Sequence, residues 1–213
     1  MPLGHSHSGR SLDTRTSDEV EPVLKRYVIS RDDRIYEAFP DVALTACERL
    51  VCVFAECTHH ADRSYTRIVL TTSEDRGRTW SDKRPLTEAL RGDPKIDPFW
   101  NCPRISTLDD GRLAVVVDRI AGRQEGVGGE QSNWLWLSED EGATWLGPQA
   151  TPLQGIVPDR LVELSHGAHP GRWLLSAHTV LVDSGERRWI QRCWLSDDRG
   201  RSWQGPQAVA CAR

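Results

Sequence analysis

The densest gathering of side chains able to do chemistry is Thr58-His59-His60-Ala61-Asp62-Arg63, with two imidazoles, a carboxylate and a guanidinium between apolar runs. Such a loop can rim a polar pocket, and Asp62 with His59 or His60 could move protons to and from a bound substrate. The same residues equally suit an ordinary solvated loop. Metal chemistry is not expected from them. Neighbouring His59 and His60 would point to opposite sides of a strand, and the six cysteines form no CxxC pair. Cys47, Cys52 and Cys57 are five apart, which fits neither zinc nor a disulfide framework, so reduced thiols are expected. Gly126-Val127-Gly128-Gly129 has no following helix and does not read as a phosphate loop. No cofactor is expected.

The elements that must position these residues announce themselves through a repeat. Ser73-Glu74-Asp75-Arg76-Gly77-Arg78-Thr79-Trp80 recurs as Ser138-Glu139-Asp140-Glu141-Gly142-Ala143-Thr144-Trp145 and as Ser196-Asp197-Asp198-Arg199-Gly200-Arg201-Ser202-Trp203. All three fit S-x-D-x-G-x-[ST]-W, at spacings of 65 and 58 residues. The pattern is that of a turn. The Asp accepts hydrogen bonds from backbone N–H groups of its own turn, Gly supplies a positive φ, and Trp offers a flat surface to pack beneath. Asp75, Asp140 and Asp198 are therefore read as turn builders rather than catalysts.

Short apolar or aromatic runs precede each octapeptide: Leu50–Ala55 and Tyr65–Thr72, then Leu113–Val117 and Trp134–Leu137, then Trp173–Ala177 and Trp189–Leu195. Asp109-Asp110-Gly111-Arg112 marks a hairpin, and no helical period appears. Each unit reads as four antiparallel strands with the octapeptide between the third and fourth. Such units stack as propeller blades, here about 38–88, 98–152 and 154–210, within a domain spanning 23–213. Leu24–Ile29 is a candidate extra strand. Residues 1–22 read as a disordered polar leader, in which His5 and His7 carry no metal signature.

With these octapeptides and this period, the chain resembles the sialidase (neuraminidase) superfamily, whose six-bladed propellers carry Asp boxes, also called bacterial neuraminidase repeats. The resemblance covers about residues 24–210 and implies an all-β, partial six-bladed-type propeller of about three blades. It further implies a site in which three Arg grip a substrate carboxylate, a Tyr–Glu pair supplies nucleophile and base, and an Asp is acid/base. Asp62, eleven residues before Ser73, stands where that Asp is expected. Ala38, in Tyr36-Glu37-Ala38-Phe39-Pro40-Asp41, stands where the first Arg is expected, and Arg34 is not equivalent. First strands of such blades open near the axis, so Asp41, Arg104, Asp159 and Arg160 are the expected substrate-binding residues. The same four equally suit strand caps that pair with neighbouring blades. The resemblance places the Tyr, Glu and remaining Arg in blades four to six, whereas Tyr27, Tyr36 and Tyr65 all come early and the chain ends at Arg213.

A hydrophobic content of 38%, a charged content of 27% and a net charge of −4 describe a soluble protein with no pull toward nucleic acid or anionic membrane. No secretory leader or membrane-spanning run is read, so a cytoplasmic location is expected. The expected function is a sialidase-like exo-glycosidase domain acting on a terminal, possibly acidic sugar of a glycoconjugate, incomplete and weak or inactive alone. The alternative is a non-catalytic carbohydrate-binding or protein-interaction propeller, with Trp100, Trp134 and Trp136 as stacking platforms or as inter-blade packing. Uncovered blade faces predict self-association.

Overall fold

The computed structural model describes residues 25–122 and 131–209. The polar leader, with His5 and His7, as well as Gly126–Gly129 and Cys211, lie outside the described residues. Strands and turns, with no helix, make up what is described.

Three antiparallel sheets follow one another along the chain. The first holds β1 (Tyr36–Leu44), β2 (Leu50–His59), β3 (Asp62–Ser73) and the short β4 (Arg84–Pro85) in that order, with β5 (Leu90–Arg91) also paired to β3. The second holds β6 (Phe99–Thr107), β7 (Leu113–Ile120), β8 (Gln131–Ser138) and β9 (Leu146–Gln154). The third holds β10 (Val162–Glu163), β11 (Trp173–Asp183), β12 (Glu186–Ser196) and β13 (Gln204–Ala208). Each follows a four-stranded meander, to which the first sheet adds β5, and the three stack as blades of a partial propeller. The expected strand at Leu24–Ile29 is absent from described residues 25–29, where Tyr27 and Val28 are exposed and no strand pairs with them.

The burial pattern explains why the apolar runs are continuous rather than alternating. In β2 Val51–Cys57 are all buried, and in β7 so are Leu113–Asp118. A strand inside a blade with both faces covered needs apolar side chains on both. Val51, Val53, Ala55, Ile68 and Leu70 of the first blade pack against Trp100, Ile105, Val115, Val117 and Trp136 of the second. Ala114, Val116, Leu135 and Leu153 of the second blade then meet Trp173, Leu175, Ala177 and Trp194 of the third. Trp100 and Trp136 meet edge to face, with ring centroids 5.7 Å apart.

The three octapeptides form the turns that lead to each outer strand. In the first, Asp75 Oδ1 accepts from the backbone N–H groups of Arg78 and Thr79 at 2.9 and 2.8 Å, and Oδ2 accepts from Thr79 Oγ1 at 2.7 Å. Ser73 Oγ accepts from Gly77 N at 2.8 Å, and Trp80 Nε1 donates to Gly77 O at 3.1 Å. Asp140 and Asp198 repeat this pattern with Thr144 and Ser202. Two successive left-handed residues turn the chain: φ is 61°, 56° and 59° at Arg76, Glu141 and Arg199, followed by the glycines. At Gly142 a side chain would be both strained, at φ 85°, and within 3.2 Å of Val51 in the neighbouring blade. Gly200 likewise seats its turn on the ring of buried Trp173.

Polar stitches complete the blade contacts. The carboxylate of fully buried Asp118 accepts from Asn101 Nδ2 at 2.9 Å, Cys102 N at 2.6 Å and Val157 N at 2.9 Å, joining second and third blades. Burial pushes its pKa up while these three donors pull it back. Thr107 Oγ1 donates to Leu44 O at 2.7 Å, and Asp109 N to Glu163 Oε2 at 2.9 Å. Burial also raises the Cys52 and Cys102 thiols to about 12, so both are core groups rather than nucleophiles.

Truncating Trp173, fully buried between blades two and three, should cost about 3–5 kcal/mol of unfolding free energy by denaturant titration. The octapeptide aspartates set a pH window as well. Hydrogen bonds from Thr79, Thr144 and Ser202 hold Asp75, Asp140 and Asp198 at a pKa of about 2, below the usual carboxylate value near 3.9. A folded-state pKa below the unfolded one gives stability that is present above about pH 4 and lost as pH falls toward about 2. Acid unfolding curves should slope in that window, and the slope should shrink in the triple Asp→Ala variant at residues 75, 140 and 198.

Candidate functional site

Inner strands carry the site. Each blade opens with a proline followed by a charged residue: Pro40-Asp41, Pro103-Arg104 and Pro158-Asp159-Arg160. Before two of these prolines the chain adopts a left-handed conformation, φ 55° at Phe39 and 52° at Val157. Both are costly for a bulky or β-branched residue. Pairing also slips, between Ala38 and Asp41 on β1 and between Trp100 and Pro103 on β6. A bulge re-aims the side chains that follow it. The result is one cavity of about 520 Å³ lined by Asp41, Arg104, Asp159, Arg160, Val162, Leu174 and Ser176. The structure thus brings the four sequence-derived binding residues together.

Their charges are not equally available. Arg160 grips Asp41 with its fork, Nε to Oδ2 at 2.9 Å and Nη2 to Oδ1. Asp41 also accepts from its neighbour Val42 N at 3.0 Å and from Ile105 N of the second blade at 3.0 Å. Asp159 accepts from Ser176 Oγ and, at 2.8 Å, from Gln191 Nε2. Arg104 donates to Pro103 O at 3.3 Å and has no carboxylate partner among the described residues. The cavity therefore offers one guanidinium without a counter-ion and one solvent-facing carboxylate to a ligand. Ser176 and Gln191, which orient Asp159, escaped the sequence reading. Both lie on strands the apolar runs predict, Ser176 on β11 and Gln191 on β12, but which faces of these strands meet the axis follows only from the assembled blades.

Asp62, His59 and His60 form a separate group at the β2–β3 hairpin, where His59 pairs with Asp62 across a two-residue turn. None of the three lines the cavity. Asp62 Oδ1 accepts from Ser64 N at 2.9 Å, which caps the hairpin and holds the carboxyl below its ordinary pKa. An aspartate in that state is ionised at neutral pH and suited to receive a proton rather than deliver one. His59 Nδ1 accepts from Ala61 N at 3.2 Å. Arg63 is buried, donates Nη1 to Cys57 Sγ, and stacks over Phe39.

Ala38 is buried and lines a small apolar groove with Cys52 and Phe54 instead of the axial cavity. Arg34 is exposed and pairs with Asp32 at 3.1 Å. Trp100 and Trp136 are core residues, and Trp134 is half-buried under Arg119, 4.9 Å from its ring centroid. None of the three is a free sugar platform. Among the described residues no cluster of three metal-ligating side chains occurs, and no helix is long and apolar enough to cross a membrane.

No family model matches the chain. Solved structures resemble it. A Dyadobacter fermentans protein of unknown function superposes with a TM-score of 0.61 at 19% identity, covering 87% of this chain and 58% of that one. A mutant of the NanB sialidase from Streptococcus pneumoniae gives 0.61 at 12% identity over 86% of this chain and 46% of its own. The alpha-L-arabinanase of Penicillium chrysogenum, solved with arabinobiose, gives 0.53 at 15% identity over 83% and 46%. The chain spans about half the length of these structures. What is shared at such identities is the fold, an all-β partial propeller of sialidase type.

Asp41→Ala should cost about 1–3 kcal/mol, because it strands the Ile105 N–H and leaves Arg160 unpaired. Arg160, whose side chain is 52% exposed against 9% for Asp41, contributes less, and Arg160→Met should cost about 0–1 kcal/mol. Chemical denaturation of both variants checks the order. Equal losses would mean that the ion pair, rather than the inter-blade hydrogen bond, carries the stability.

Proposed function

We propose that the chain forms part of a sialidase-like glycoside hydrolase propeller and binds the terminal sugar of a glycan in its axial cavity, with little or no turnover alone. The observation that carries this reading is the convergence of Asp41, Arg104, Asp159 and Arg160, from three blades, on one cavity. Unpaired Arg104 suits an acidic substituent, and solvent-facing Asp159 suits sugar hydroxyls. The sialidase and arabinanase neighbours are both glycoside hydrolases, which supports the substrate class.

Two observations favour the non-catalytic form of this reading, a carbohydrate-binding module. The Asp62 carboxylate is engaged in its own hairpin, and Asp41 is neutralised by Arg160. If the chain does turn over glycosides, Asp62 is the acid/base and His59 and His60 are its neighbours. Self-association belongs to the same proposal, since Trp189 on β12 is 56% exposed.

The deciding experiment runs the purified chain against fluorogenic sialosides and a panel of acidic and neutral glycosides, beside calorimetric binding and sedimentation. Binding without turnover is expected, weakened for acidic sugars by about tenfold in Arg104→Ala. Turnover that disappears in Asp62→Ala would replace the binding-only form by an active enzyme. Failure to bind any glycoside would overturn the proposal, and a compact monomer would remove self-association from it.

A further inference from the structure

Four rings run outward from the inner strand of the first blade. Phe39 and His60 have centroids 6.0 Å apart, His60 and Tyr36 6.0 Å, and Tyr36 and His59 5.7 Å. All pairs are tilted or edge-on, the geometry aromatic rings prefer when they pack side by side. Tyr36 is 39% exposed, both histidines are exposed, and Phe39 is half-buried. Phe39 packs against the core shared by the first two blades, whereas the three rings beyond it lie open and add little to that core.

The row is nevertheless held in place from below and behind. Phe39 sits at φ 55°, a conformation a bulky residue adopts only when its surroundings impose it. Its ring is braced by the guanidinium of Arg63, which is 6% exposed and 5.4 Å from the ring centroid. The hairpin carrying the histidines is fixed by Asp62 accepting from Ser64 N and by His59 Nδ1 accepting from Ala61 N. Backbone strain and a buried cation fix the half-buried ring of Phe39, and a capped turn fixes the hairpin whose histidines face solvent. Phe39 is two residues from Asp41 across the slip in β1, so the two backbones lie at most about 7 Å apart. None of the four rings lines the cavity, but the chain joins the first of them to a cavity-lining carboxylate through Pro40 alone.

Sugars are amphipathic: hydroxyl edges take hydrogen bonds, while ring C–H faces pack on aromatic faces. We infer that Phe39, His60, Tyr36 and His59 form an aromatic ledge that stacks the second sugar of a glycan whose terminal sugar occupies the axial cavity. This inference rests on the carbohydrate-binding reading above and adds a subsite to it. It makes the chain a reader of oligosaccharides rather than of single sugars, and it gives the hairpin a positioning role in place of proton transfer.

Calorimetry with paired probes tests it: methyl α-sialoside against sialyllactose, and methyl α-arabinofuranoside against arabinobiose. In each pair that binds, the longer glycan should bind about tenfold more tightly. Exposed Tyr36 can be replaced without loss of folding, so Tyr36→Ala should erase most of that advantage with an unchanged melting temperature, and Tyr36→Phe should keep it. Binding of a monosaccharide with no gain for the longer probe would sink the ledge and leave the cavity reading standing. So would a Tyr36→Ala protein that keeps the full advantage. Absence of binding by all four probes would overturn both.

Discussion

The carboxylate of Asp41 is where three blades meet. It accepts from Val42 N on its own strand, from Ile105 N on the second blade, and from the Arg160 fork on the third. A four-stranded blade cannot bury both faces by itself, so the structure depends on how blades are held to one another near the axis. There the sheets converge and apolar side chains have least room. A nearly buried carboxylate must recover its lost hydration through hydrogen bonds, and Asp41 recovers it from all three blades together. The same arrangement sets the electrostatics of the cavity: two of its four charges cancel, and Arg104 and Asp159 are left to face a ligand.

Farther from the axis the blades solve the packing problem differently. Trp100, Trp136, Trp173 and Trp194 fill the widening gaps between sheets. The octapeptide turns cap these layers, because a left-handed x-Gly pair lets the turn lie flat against a neighbouring ring or methyl group. The repeat spends its aspartates on turn amides, which removes them from any catalytic role. Of the nine tryptophans, all but exposed Trp189 pack in or against the blade cores. Composition alone would have suggested a sugar-binding surface where there is packing.

Much of the architecture was legible because it is local. The octapeptides name their own turns, the apolar runs name their strands, and the spacing names the blade. What escaped the sequence depends on tertiary closure. The Asp41–Arg160 pairing joins residues 119 apart, and nothing local says that Arg160 meets Asp41 rather than a ligand. The left-handed backbone at Phe39 and Val157 runs against the preference of both residue types, so pattern reading could not place it. Residues 25–29 have apolar content fit for a strand but pair with no strand among the described residues. The proline-plus-charge opening of each blade is a second repeat, and it marks the same cavity residues that the position of the first strands marks.

The slip in β1 links cavity and blade tip. Between Ala38 and Asp41 the strand loses register with β2, and the chain passes through left-handed Phe39 into Pro40. Without the slip, strict alternation would leave Ala38 and Pro40 on one face and Phe39 and Asp41 on the other, in step with their partners on β2. With it, Ala38 stays in the apolar groove of the first blade, Asp41 joins the cavity lining, and Phe39 lies between Arg63 and His60. A single local distortion thereby turns a carboxylate toward the axis and a ring toward the hairpin. Phe39 also packs against the core shared by the first two blades, so the same distortion serves blade packing and holds a ring beside the hairpin.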